Sequence, residues 1–202
     1  DFLDQQGIFV FLITVYVGAG LIANDRRANA LQLYLSKPVT RAEYILGKMT
    51  VLATFLMAVT WLPAMLLLVL QIAFSGSFTF LKTNSSLIAS VTLHCLLVVI
   101  VITFGMTALS SLSRSSRFVG ILFAGVLIFS DAMFNALRFI TGSTAISWVS
   151  IQASLDQVGD VIFRQAPRHQ TPVGVSMLVL LAVVVISASV LERRVRGVEV
   201  VA

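Results

Sequence analysis

Ile22-Ala23-Asn24-Asp25-Arg26-Arg27-Ala28-Asn29-Ala30-Leu31-Gln32-Leu33-Tyr34-Leu35-Ser36-Lys37-Pro38-Val39-Thr40-Arg41-Ala42-Glu43-Tyr44-Ile45-Leu46-Gly47-Lys48 is a charged interruption between two long apolar runs. Within it Leu31, Tyr34 and Leu35 share one helical face, with Asp25, Arg26 and Arg27 supplying charge ahead of them. That pattern predicts a short helix at a membrane surface. Pro38 disfavours helix at Lys37, and Thr40 followed three residues later by Glu43 forms a capping box that restarts a helix. The stretch therefore reads as helix, sharp break, helix.

Outward from this loop the chain is overwhelmingly apolar. Of its 202 residues 58% are hydrophobic and only 11% charged, with a mean hydropathy of +0.98. A soluble core this apolar would need far more polar cover, whereas lipid requires none. Crossing about 30 Å of hydrocarbon takes about 20 apolar residues. Five segments fit: 2–23, 49–74, 87–112, 118–138 and 172–191. Their length and lack of alternation argue against a strand barrel. The expected fold is an all-α membrane protein, a polytopic helical bundle forming one transmembrane domain over 1–202, with a cytoplasmic loop 24–48 and an external segment 139–171.

A net charge of +5 would fit nucleic acid, but the basic residues stand at the ends of apolar runs rather than on a basic face with interleaved aromatics. No nucleic-acid partner is expected. Sorting Lys and Arg by loop gives ten on one side (Arg26, Arg27, Lys37, Arg41, Lys48, Arg114, Arg117, Arg193, Arg194, Arg196) and four on the other (Lys82, Arg138, Arg164, Arg168). The positive-inside rule then places the first loop and the C-terminus in the cytoplasm. Five spans with a cytoplasmic C-terminus put Asp1 outside, and since the sequence does not begin with Met we expect a sixth, preceding span in the native chain that restores an internal N-terminus. The single cysteine, Cys95, excludes an intrachain disulfide and a cysteine-based metal site.

The loop resembles the signature of type-2 ABC permeases: an acidic residue (Asp25), a small-residue step (Ala28 to Ala30), a short apolar helix (Leu31 to Leu35), then Ser36-Lys37-Pro38-Val39-Thr40-Arg41-Ala42-Glu43 leading to Gly47-Lys48. Two departures are Asp25 where the family more often has Glu, and Asn29 in place of a frequent Gly. The basic ending Leu191 to Val201 is similar to that family as well. The resemblance implies that Asn24–Ser36 is a coupling helix docking on a cytoplasmic ABC ATPase subunit, with Asp25, Arg26, Arg27, Leu31, Tyr34, Leu35, Pro38, Arg41 and Glu43 as coupling residues. The plainer reading is a loop pinned by its apolar face and by lipid headgroups.

A phosphate-binding loop needs Gly-x-x-x-x-Gly-Lys-[Ser/Thr], and Gly47-Lys48 has Ala42 and Met49 at the deciding positions. The chain is therefore expected not to be an enzyme. No cofactor is expected on it, ATP and Mg belonging to the partner subunit. The resemblance further implies a second permease copy or homologue and a cytoplasmic (inner) membrane of a prokaryote.

Ionisable groups inside a span are costly and mark candidate sites. His94 and Asp131 each lie about 10 Å from the outer ends of their spans, at 1.5 Å per residue, so a meeting between them is conceivable. Asp131, Asn135 and Arg138 share one helical face. Either these four line the substrate path or dimer seam, or they form a satisfied polar cluster near the outer headgroups. Pro63 predicts a kink, as a hinge or a static bend. Gly18, Gly20, Gly120 and Ala124 would permit close helix approach.

Outside, Trp148, Ile151, Leu155, Val158 and Ile162 repeat at three and four residues, predicting an amphipathic helix. By resemblance, Ala145–Phe163 corresponds to gate helices that dip into the outer leaflet, with Trp148, Ile151 and Leu155 as gate residues. A helix lying flat on the surface is the alternative. Asp156 and Asp160, one turn apart, are expected on a solvated face. The sequon at Asn84 carries no weight. Two other functions stay open: a non-transporting membrane scaffold with a permease fold, and a proton-coupled carrier or channel using Asp131 and His94.

Overall fold

The computed structural model describes residues 6–29, 40–75 and 86–196. Among these residues there is helix and no strand. Five helices are long and apolar enough to cross a membrane, so the bundle expected from the apolar runs is present.

The first span covers Gly7–Arg27 and is not uniform. Helix α1 (Gly7–Ile13) widens into a π-type turn at Thr14–Gly18, the backbone then loosens, and a short helix α2 (Ala23–Arg27) closes the span. At Gly18 the backbone closely approaches two neighbouring helices. A Cβ there would lie 2.6 Å from Met106 Cγ and 3.0 Å from Leu52 Cδ2, so only glycine lets the backbone rest against both flanking helices. Gly120 plays a similar part against Val15, at 2.9 Å.

Helix α3 (Arg41–Ser75) begins with the anticipated capping box. Thr40 N–H and Oγ1–H donate to Glu43 Oε2 at 2.7 and 2.9 Å, and Glu43 N–H donates to Thr40 Oγ1 at 3.3 Å. The box puts the helix start eight residues ahead of the hydrophobic edge at Met49, so α3 carries its charged first turns unbroken into the bilayer. Pro63 sits inside α3 and deprives Val59 of its usual helical donor. The Gln6 amide, buried against α3, reaches Val59 O at 3.4 Å.

Helix α4 (Ser86–Leu112) occupies the centre. Its buried residues run from Val91 and Cys95 through Val101, Ile102 and Met106 to Ser110 and Ser111, while Ile88, Leu93, Leu96 and Ile100 are exposed. Its main core joins Val99, Ile102 and Met106 to Val10 and Ala23 of the first span, Leu52 and Leu56 of α3, and Val119 and Phe123 of the next helix. That next helix, α5 (Ser116–Thr141), ends at Gly142, whose φ of 64° gives the left-handed cap that glycine adopts freely. Apolar side chains such as Phe9, Leu66, Ile121, Phe129 and Leu178 point outward, which suits lipid as the solvent.

Between α5 and the last span, α7 (Val173–Arg196), the chain forms a 3-10 turn (Ser147–Val149) and helix α6 (Ile151–Ile162). The helix is the one expected from the apolar spacing. It does not lie flat on the surface. Ser150, at its start, donates to the carboxylate of Asp131, about 15 Å from the C-terminal end of α5 at 1.5 Å per residue. At its other end Ile162 O accepts from Ser90 Oγ, one turn into α4, at 2.9 Å. The chain thus descends after Thr141, and α6 climbs back out antiparallel to α4, burying Leu155 and Val158 against Val101 and Leu180.

Candidate functional site

At the end of the bundle that carries residues 30–39, the residues bracketing the loop are tied to each other. Asp25, on α2, accepts a hydrogen bond from Tyr44 Oη at 2.7 Å and pairs with Lys48 Nζ at 2.7 Å. The Lys48 ammonium also stands 5.7 Å from the centre of the Tyr44 ring. Tyr44 and Lys48 are one turn apart on α3 and so share a face. This pair, with side-chain exposures of 25% and 17%, is neither buried nor fully washed by solvent. With the phenol bond included it is worth about 1–2 kcal/mol. Its consequence is mechanical: the end of the first span and the start of α3 are cross-linked on either side of residues 30–39.

A second tie joins the first span to α4. Ser110 is fully buried. Its hydroxyl donates to Ala19 O at 3.0 Å and accepts from the N–H groups of Ile22 and Ala23 at 3.0 and 3.1 Å. That uses the whole bonding capacity of a hydroxyl, and it serves the three backbone groups that the break before α2 leaves without helical partners. One turn on, the Arg26 guanidinium donates to Ser111 O. The apolar floor beneath is Ile22, Met49, Ala108 and Leu191, from four spans.

Of the expected coupling residues, Asp25 and Arg26 are thus fixed by named partners, and Glu43 is spent on the capping box. Arg27 is exposed. Leu31, Tyr34, Leu35 and Pro38 lie outside the described residues. Helix α2 stops at Arg27, and Asn29 has a φ of 52°. Only glycine adopts that left-handed conformation freely, with asparagine the best substitute, which accounts physically for Asn29 standing where a glycine is frequent. Tyr44 and Ser110 were not singled out from the sequence, and Lys48 entered only as the end of the Gly47-Lys48 motif. The one-turn spacing of Tyr44 and Lys48 could have pointed to the tie with Asp25. Ser110 offered no signal.

At the opposite end the expected cluster is divided. Asp131 accepts from Ser150 Oγ, which in turn accepts the Ala153 N–H at 3.0 Å. The carboxylate therefore completes the N-terminal cap of α6, where a helix dipole favours negative charge. His94 lies instead against Gly159, where a Cβ would be 2.9 Å from its ring, and 5.6 Å from the Phe163 ring. The two residues face α6 nine positions apart, about 13 Å along a helix, so the structure does not bring them together. Asn135 donates to Asp131 O at 2.9 Å, and both Asn135 and Arg138 are exposed.

His94 does border a cavity of about 70 Å³ among α1, α3, α4, α5 and α6, with Gln6, Thr14, Thr60, Gln152 and Asp156 as its other polar walls. Of the expected gate residues, Leu155 also lines this cavity, Ile151 is half-buried, and Trp148 is 47% exposed.

The solvated face expected for Asp156 and Asp160 is incorrect. Asp156 is half-buried at the cavity, and Asp160 is 3% exposed. Asp160 accepts from the Arg168 backbone N–H at 2.8 Å and pairs with its guanidinium at 3.0 Å. Nearby, buried Gln157 donates to His169 O and Thr171 O at 3.0 and 2.8 Å and accepts the His169 N–H at 3.1 Å. A carboxylate and an amide one turn apart thus strap residues 168–171 to α6. Burial pushes the His169 imidazole pKa down; Asp160 opposes that shift, while Arg138 and Arg168 add to it. No group of three or more His, Cys, Asp or Glu able to hold a metal occurs among the described residues.

Five apolar helices, one helix turned back into the bundle and cross-linked span ends define a multi-pass membrane protein. The chain belongs to the ABC-2 family of transporter proteins, whose sequence model matches residues 5–194. It is the permease component of an ABC transporter. No curated protein and no solved structure matches it significantly.

Proposed function

We propose that this permease exports its substrate across the cytoplasmic membrane of a prokaryote, driven by a separate ABC ATPase subunit that docks on Asn24–Ser36 and holds the ATP and Mg. The observation that carries this reading is the pair of ties bracketing the loop. Asp25 joins α2 to Tyr44 and Lys48 of α3, and Ser110 joins the same segment to α4. A push on residues 30–39 reaches three spans through short, directional bonds rather than through a slack linker. Such a loop suits a transmitter of force better than a loop merely pinned to lipid.

On this reading the loop and the C-terminus are cytoplasmic, and two halves, identical or homologous, enclose the path. The exposed Asn135 and Arg138 on α5 support a seam there, since polar groups facing lipid are costly. The cavity at His94 and the inward-turned α6, with Trp148, Ile151 and Leu155, supply the outer gate.

The test is purification of the full chain from its native membrane. An ABC ATPase should accompany it, and changing both Leu31→Asp and Tyr34→Asp should release that subunit while leaving the permease in the membrane. Retention of the ATPase by the double variant would refute the docking site. Asp131→Asn tests the outer region separately: loss of transport with assembly intact supports a role in the path, and unchanged transport leaves Asp131 as the cap of α6 alone.

A further inference from the structure

In the inner half of the bundle, α4, α5 and α7 leave an apolar cleft of about 320 Å³. Gly105, Leu109 and Leu112 line it from α4, Val126 from α5, and Ile186 and Val190 from α7. Where a Cβ of Gly105 would stand there is open space for 4 Å around. Leu112, Val126 and Ile186 are also exposed, so the cleft opens toward lipid rather than being sealed in the core.

Two residues past Leu112 comes Arg114, and one turn past Val190, on the same face of α7, comes Arg194. Both are exposed. Arg26, bonded to Ser111 O, anchors the first span beside them, and Arg114 and Arg194 lie within its electrostatic reach. The acid nearest in sequence, Glu192, is two residues from Arg194, a spacing that turns it to another side of the helix. Asp25 is occupied by Tyr44 and Lys48. Two arginines thus follow closely on the residues that line the apolar slot, each within electrostatic reach of Arg26.

We propose that this cleft binds one anionic phospholipid, an acyl chain lying between α4 and α7 and the headgroup phosphate held by Arg114 and Arg194. An apolar slot alone accepts any acyl chain; the arginines select charge, and basic pockets between spans are how such headgroups are recognised. Only the assignment to the cytoplasmic leaflet rests on the topology proposed above, and the lipid preference is measurable without it.

The experiment uses the full chain in phosphatidylcholine vesicles containing trace spin-labelled phosphatidylglycerol or, separately, trace spin-labelled phosphatidylcholine, and reads the immobilised fraction. The phosphatidylglycerol label should be held preferentially. Arg114→Gln and Arg194→Gln should each cut that preference roughly fivefold, and Gly105→Leu, which fills the slot, should lower immobilisation of both labels. Equal immobilisation of the two lipids, or a preference that survives in the double arginine variant, would overturn the proposal. So would a Gly105→Leu variant that loses dimer and leaves lipid binding unchanged, since the cleft would then hold a second copy of the chain.

Discussion

Ser110→Ala removes one oxygen atom and should be among the most damaging small changes in this protein. The hydroxyl serves Ala19 O, Ile22 N–H and Ala23 N–H, and its site is fully buried, so no solvent stands ready to replace it. Hydrogen bonds between membrane helices average about 0.6 kcal/mol and reach about 1.7, which brackets three of them at about 2–5 kcal/mol. Backbone groups stranded without a partner cost about 1–3 kcal/mol each, which argues for the upper half of that range. The expected loss is therefore about 3 kcal/mol or more.

The control is Ser111→Ala, one position on. That hydroxyl is as buried, yet it bonds only Ala108 O of its own helix, at 2.6 Å. It should cost well under half as much. Unfolding in mixed detergent micelles gives the free energies, and hydrogen exchange over residues 19–27 shows whether the loss is local to the break before α2. If Ser110→Ala falls within about 0.5 kcal/mol of the parent, the range of an ordinary surface change, or matches Ser111→Ala, the stitching role is wrong.

Other consequences are smaller and independent. A double-mutant cycle between Asp25→Asn and Lys48→Met should give a coupling of about 1 kcal/mol that weakens with salt; zero coupling would mean that the pair does not tie the spans. At Asn29, with a φ of 52°, glycine should be neutral, whereas valine should cost about 1–2 kcal/mol in the same unfolding assay. His169 has its pKa lowered in the folded protein, mainly by burial. Its neutral form is therefore favoured by folding, and the unfolded strap binds the proton more readily. The stability it contributes should be present above the unfolded value, about 6.5, and be lost as pH falls through that value toward the lower folded one. Protection factors at residues 163–172, corrected for the intrinsic pH dependence of exchange, should fall on acidification in the parent and do so less in His169→Gln.

The features that local chemistry determines were legible in the sequence, and those made by distant partners were not. Apolar length alone gave the spans, Thr40 and Glu43 gave the start of α3, and the three-four spacing from Ile151 to Ile162 gave α6. Each needs only neighbours within a turn or two. Counting residues from a span's end gave His94 and Asp131 similar depths, but it assumes that the two spans end at one level. The bundle set them nine positions apart along α6.

Asp160 was misjudged for a related reason. A carboxylate on an amphipathic helix reads as solvated unless its partner is known, and Arg168 reaches it through a loop whose path no periodicity predicts. Ser110 was invisible because a serine in an apolar run is ordinary. It matters only because the backbone break about 90 residues earlier folds against it.

The central claim is that the loop opened by Asp25 and closed by Lys48 meets an ATP-hydrolysing partner, and a photo-crosslinking residue in place of Tyr34 tests it most directly in native membranes. The account predicts a covalent adduct with a protein carrying a Gly-x-x-x-x-Gly-Lys-[Ser/Thr] loop, lost when Leu31 is changed to Asp. Adducts with lipid alone, in a chain that still reaches the membrane, would contradict it.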